Sequence, residues 1–183
     1  SILSFYKKSN EVVVYFVTDK LESQKLKFNI QLIDFSGKIH NSWDGEFSSK
    51  ANNSKIIHKI NLSSLNVEPN YFNDKYLYAN ASFNDEIIAE KTKYLTAVKN
   101  LDIDAPKFAY EVTIVNGFYE VKLISKNLVK NLFVDSALEY NFSDNYFDLR
   151  PNEQKIIRIK RDKFHSLNSF KESLNFLSLH DTY

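Results

Sequence analysis

The chain of 183 residues contains no cysteine and no methionine, and only three glycines, three prolines and one tryptophan. Without cysteine it can build neither a disulfide framework nor a thiolate metal site, and the compartment stays open. Three glycines are too few for a phosphate-cradling or dinucleotide-binding loop, and no GxSxG elbow presents a serine nucleophile. Long apolar runs are missing as well, since none approaches the ~20 residues that a membrane-spanning helix needs. An excess of one charge is also absent, because 24 Lys+Arg against 23 Asp+Glu leave a net charge of +1. No long-range field is available to hold a polyanion, which argues against nucleic acid as a partner. The start at Ser1, with no basic and apolar leader and no methionine anywhere, reads as an excised piece of something larger.

What is present fits packed β-structure. Aromatic residues at 15% and hydrophobic residues at 43% can fill cores, so disorder is excluded. The length is too great for one immunoglobulin-like unit of ~100 residues and suits two. Val12, Val14 and Phe16 alternate with Val13, Tyr15 and Val17, a run apolar on both faces and so a central strand. Leu26, Phe28, Ile30 and Leu32 alternate with Lys27, Asn29 and Gln31, the pattern of a half-buried strand. Ser36-Gly37 turns the chain back through Ile39 toward Trp43. Ile56, Ile60 and Leu62 are read on one face, Leu62 to Leu65 as a helical turn, and Leu77, Ala79, Ala81 and Phe83 as another strand. Asn84-Asp85 marks a hairpin into 87–95.

Between Lys99 and Pro106 the pattern breaks into NLDIDAP, whose proline cannot continue a central strand. The domain boundary is placed there, giving sandwich domains at 1–104 and 105–183. Phe108, Tyr110, Val112 and Ile114 restart a strand, Asn116-Gly117 gives a type I′ hairpin signal, and Tyr119, Val121 and Leu123 return. Segments 128–134, 146–149, 154–161 and 174–179 bring the second half to roughly seven short strands, with no amphipathic helix among them. Pro151-Asn152 presets a turn, after which Ile157 and Ile159 point opposite to Arg158 and Lys160. In NYFDL, just ahead of that turn, Tyr146 is read as a tyrosine corner. The whole reads as an all-β protein of two tandem immunoglobulin-like β-sandwiches.

The stretch FSDNYFDLRPNEQKIIRIK, residues 142–160, resembles the C-terminal immunoglobulin-like domain of the β-mannosidases of glycoside hydrolase family 2, where a phrase like FSDNYFDLLPGE precedes an alternating strand. Asn152 stands where that family usually has glycine, a change the turn accepts because both residues reach positive φ. The first half, with DFSGKI and NSKIIHKINLSSL, is similar to the immunoglobulin-like or carbohydrate-binding-module-like domain that precedes the last one in these enzymes. The resemblance implies a non-catalytic accessory region with the catalytic barrel domain of the parent chain as its partner. It also implies a periplasmic or secreted bacterial location, with a lysosomal one as the alternative. The parent would hydrolyse terminal β-D-mannosyl residues, using two carboxyl groups ~5 to 5.5 Å apart for retention. A barrel of ~250 residues does not fit in this chain.

Each candidate chemical group has a plainer reading. Asn10-Glu11 and Asn152-Glu153 mimic the asparagine-glutamate pair that carries the acid/base in that family, but one opens a strand and the other sits in a turn. His40, His58, His165 and His180 lack metal-ligand spacing, and His58 is read as a partly buried histidine beside Ile56 and Ile60. Lys155, Arg158, Lys160, Arg161 and Lys163 read as one strand's solvated face rather than an anion patch. The four Asn-x-Ser sequons at 52, 61, 80 and 141 compare with about 2.6 expected by chance. No cofactor is implied. Trp43, Tyr71 and Tyr76, with Phe72, form the candidate sugar-stacking platform, which leaves a binding module for mannose-containing glycans as one alternative function. Generic surface adhesion domains are another.

Overall fold

The computed structural model describes residues 1–65 and 68–182. Proximity of Cα atoms divides it into two compact units, Ser1–Asp34 with Lys38–Asp102, and Phe35–Gly37 with Ile103–Tyr183. Both units are built of antiparallel strands, so the all-β tandem stands.

In the first unit β1 (Ile2–Lys8), β2 (Glu11–Thr18) and β5 (Asn53–Asn61) form one sheet in the order β1-β2-β5. The facing sheet has the order β4-β3-β6-β7, from β3 (Gln24–Asp34), β4 (Ile39–Ser49), β6 (Lys75–Phe83) and β7 (Glu86–Tyr94). The two-faced apolar run of β2 does lie centrally, and Leu26, Phe28, Ile30 and Leu32 of β3 all point into the core. Each fully buried side chain of this size is worth about 1.5–3 kcal/mol, more than the ~1 kcal/mol spread of strand propensity, so burial sets the register. Leu62–Ser64 is a single 3-10 turn capped by the Asn61 side chain, which accepts from Ser63 N at 3.0 Å.

β5 departs from the sequence reading. Val14 pairs with His58 while Tyr15 pairs with Ile56, so Ile57 is an extra, bulged residue. The bulge resets the alternation: Ile57 packs partly on the core and Ile56 is exposed, whereas Ile60 is 2% exposed. His58 therefore shares its face with Ile60 but not with Ile56.

The second unit sets β8 (Phe108–Val115), β9 (Phe118–Ser125) and β12 (Gln154–Lys160) in the order β12-β9-β8. Against them lies β11-β10-β13, made of β10 (Val129–Ser136), β11 (Phe147–Leu149) and β13 (Leu174–Leu177). That is six strands among the described residues, and Leu167–Ser173 is a short helix, α1, where the sequence reading has none. Seven residues are too few to show an amphipathic period; a Ser166 hydroxyl cap on Ser169 N at 3.1 Å and the buried Phe170 hold the turn instead. β8 is an edge strand, so Tyr110 and Ile114 stay exposed and Val112 alone of its read face is fully buried.

Asparagine replaces glycine in the turns. Asn52, Asn70, Asn84, Asn116 and Asn152 all have positive φ there, as does Asn131 at the irregularity within β10, a conformation that asparagine tolerates better than other residues bearing a Cβ. Asn84-Asp85 and Asn116-Gly117 are both left-handed at both positions, the type I′ hairpin geometry. After Pro151, Asn152 is left-handed at φ 60 and Glu153 N returns to Arg150 O at 3.2 Å, closing the expected turn.

Tyr146 is not a tyrosine corner. It is 68% exposed and left-handed, and its ring stacks on Phe133 at 4.7 Å. The neighbouring Asn145 does the locking: its amide oxygen accepts from Val134 N and its amide nitrogen donates to Val134 O, both at 2.8 Å. A side chain here imitates a paired strand. Replacing it by alanine (Asn145→Ala) orphans both backbone groups of a buried residue and is expected to destabilise the second unit by about 1–3 kcal/mol, measured by urea denaturation against wild type.

Candidate functional site

The sequence-derived aromatic platform does not assemble. Trp43 points to the inner side of β4, half-buried, 5.9 Å from the His58 ring. Tyr71 meets Phe72 edge-on at 5.0 Å and carries the Lys75 ammonium 4.3 Å above its ring. Tyr76 is 1% exposed against Tyr94, so it has no ring face to offer a sugar. The three rings are committed to three different neighbours.

The glutamates of the two Asn-Glu pairs are engaged by basic side chains. Glu11 lies 3.6 Å from Lys59 Nζ, and Glu153 receives a two-pronged grip from Arg150 at 2.5 and 2.6 Å within its turn. Two basic residues of β12 are also paired, Lys155 with Asp144 at 2.6 Å and Arg158 with Glu120 at 2.7 Å. His40 bonds Asp34 at 2.8 Å, His180 is 4.0 Å from Asp181, and burial against Phe28 and Trp43 lowers the His58 pKa. Among the described residues no three His, Asp or Glu side chains converge as a metal site would require.

One polar cluster escaped the sequence reading. The Asp162 carboxylate accepts from the backbone of Phe164 (2.7 Å) and His165 (2.9 Å) through Oδ1. Its Oδ2 accepts from the Tyr140 hydroxyl at 2.6 Å and meets His165 Nδ1 at 2.7 Å. Tyr119, which is fully buried, donates its hydroxyl to His165 O at 2.8 Å and stacks on Phe170 at 4.1 Å. The Tyr140 hydroxyl and then the His165 ring hold Asp162 well below the usual carboxylate range, while burial first and Asp162 second push the Tyr140 phenol well above its own. Four donors on one carboxylate leave no lone pair for acid or base work. The cluster is a clamp that ties the loop after β12, and with it α1, to Tyr140.

The outer face of β4-β3-β6-β7 holds the other polar assembly. Register places Asp44, Asn29, Asn80 and Glu90 in one row across four strands, and Glu46, Lys27 and Ser82 in the next. Between the rows lies a depression of ≈320 Å³ with Phe28 and Gly45 also in its lining. A Cβ at position 45 would come within 2.9 Å of the Phe28 ring, which requires glycine there. Tyr78 donates to Glu90 at 2.7 Å, Lys27 reaches Asp85 at 3.1 Å and Asn29 donates to Ser42 at 3.3 Å.

Two stacked-sheet units in tandem, the second holding its short strands with a side-chain clamp, define a pair of immunoglobulin-like β-sandwich domains. Comparison with known families agrees for both: residues 10–100 match the mannosidase Ig/CBM-like domain and residues 103–182 match the Ig-fold domain of mannosidases. The chain belongs to the immunoglobulin-like domains of the family 2 glycoside hydrolase mannosidases. Among solved structures, the β-D-mannosidase of Dictyoglomus thermophilum is similar with a TM-score of 0.77 at 18% identity, over 97% of this chain and 21% of that one. The exo-chitosanase CsxA of Amycolatopsis orientalis is similar at 0.54 and 12% identity, over 96% and 25%. The chain thus spans about a fifth to a quarter of the length of these proteins. No curated protein matches it.

Because the folded-state pKa of Asp162 is depressed, its clamp contributes stability above the ordinary carboxylate pKa of ~3.9, and the contribution disappears as pH falls through that value toward the folded one. Asp162→Asn is therefore expected to be clearly less stable than wild type at neutral pH, with the gap narrowing below about pH 4, as read from urea midpoints of the second unit across pH.

Proposed function

We propose that the chain is a non-catalytic accessory region of a longer β-mannosidase-like enzyme, in which it braces a catalytic barrel. In this reading the longer protein removes terminal β-D-mannosyl residues with retention, and both carboxyl groups of that reaction belong to the barrel. A periplasmic or secreted bacterial location accompanies the reading. The observation that carries it is the continuous match: two mannosidase domain families abut along residues 10–182, and a solved β-mannosidase has this fold over 97% of the chain within only 21% of its own length. The engaged state of Glu11 and Glu153 supports the same conclusion.

The purified chain is expected to give no turnover of an aryl β-mannoside, and turnover that survives stringent purification would overturn the non-catalytic reading. Deleting the region from the full-length enzyme is expected to lower the barrel's melting temperature. An unchanged melting temperature would remove the bracing role.

A further inference from the structure

We infer that the outer face of β4-β3-β6-β7 is a saccharide-binding surface, with Asp44, Asn29, Asn80 and Glu90 as its hydrogen-bonding row and Glu46 and Ser82 beside it. The residue types run against their location. Asn and Asp are depleted in strands, yet Asn29, Asp44 and Asn80 are cross-strand neighbours in the interiors of three strands. An outward face needs only to be wettable, and good strand formers satisfy that at lower cost. The outer face of β12-β9-β8 does so, with Thr113, Ile124 and Ile156 beside an Arg158–Glu120 pair. Where local preference is violated at adjacent sites without a packing reason, function is the usual cause.

The geometry then selects the ligand class. The side chains of Asp44, Glu46, Asn80 and Ser82 have no hydrogen-bond or ion-pair partner among the described residues, and these residues border the ≈320 Å³ depression. Amides offer a donor and an acceptor side by side and carboxylates offer two acceptors, a set that matches neighbouring hydroxyls on a pyranose ring. The row crosses four strands, ~14 Å at ~4.8 Å per strand, the reach of a short oligosaccharide rather than one sugar. Three acidic side chains against Lys27, itself paired with Asp85, repel phosphate-bearing ligands. The lining is too poor in apolar side chains to form the core of a protein interface. Trp43 lies on the opposite side of the sheet and takes no part. The inference does not depend on the bracing role, since a chain can bind sugar whether or not it supports a barrel.

The test is a ¹⁵N-labelled titration of the chain with two probes, β-1,4-linked mannotriose and the β-1,4-linked glucosamine trimer, which separate neutral from amino sugars. Saturable shifts are expected at residues 27–31, 42–46 and 78–82 with at least one probe, while the Trp43 indole N–H stays in place. The double variant Asn29→Ala, Asn80→Ala is expected to weaken binding about tenfold or more while keeping a dispersed, folded spectrum. Silence with both probes at high concentration would overturn the inference. So would shifts centred on Trp43, unchanged affinity in the double variant, or the same shifts on adding calcium alone.

Discussion

A sheet that buries one face gives up its freedom of register, because sliding a strand by one residue sends every core side chain to solvent. That constraint is strongest at β3, which is hydrogen-bonded to β4 on one side and β6 on the other. With Leu26, Ile30 and Leu32 at 2% exposure or less, Lys27, Asn29 and Gln31 can only face outward. The same alternation that builds the core therefore places Asn29 beside both Asp44 and Asn80. Core and candidate surface are two sides of one packing decision.

The second unit is held differently. Its β11 and β13 are three and four residues long, so backbone ladders alone give that sheet little to hold it. Side chains stand in for them: Asn145 pairs with the backbone of β10, and Asp162 gathers Tyr140, His165 and two backbone amides. The buried Tyr119 joins this clamp to the hydrophobic core through its stack on Phe170. The turns throughout rely on left-handed asparagine, which lets a chain with three glycines make sharp hairpins.

Much of this was legible because it is local. The alternation of β2, β3, β9 and β12 and the Asn116-Gly117 and Asn84-Asp85 turns all act over a few residues. The family resemblance rested on equally local wording around residues 142–153. What failed was whatever depends on a partner strand. The extra residue at Ile57 shows itself only against β2, and the exposure of Tyr110 and Ile114 follows from β8 lying at an edge. Tyr146 reads as a corner because the groups that lock this region, the half-buried Asn145 and the buried Tyr119, carry no distinguishing spacing. The Tyr140–Asp162 contact spans 22 residues and had no signal beyond the weak Asp-x-x-His pairing. The polar row was equally hidden, since the sequence does not say that β3 lies between β4 and β6.

Both readings of the molecule, as a brace and as a sugar-facing surface, rest on β3 being seated in this register. Nuclear Overhauser contacts between backbone protons of neighbouring strands test it most directly. The account predicts that Asn29 shows cross-strand contacts with both Asp44 and Asn80. Contacts displaced by one residue on either side would turn Phe28 outward and contradict the core and the surface together.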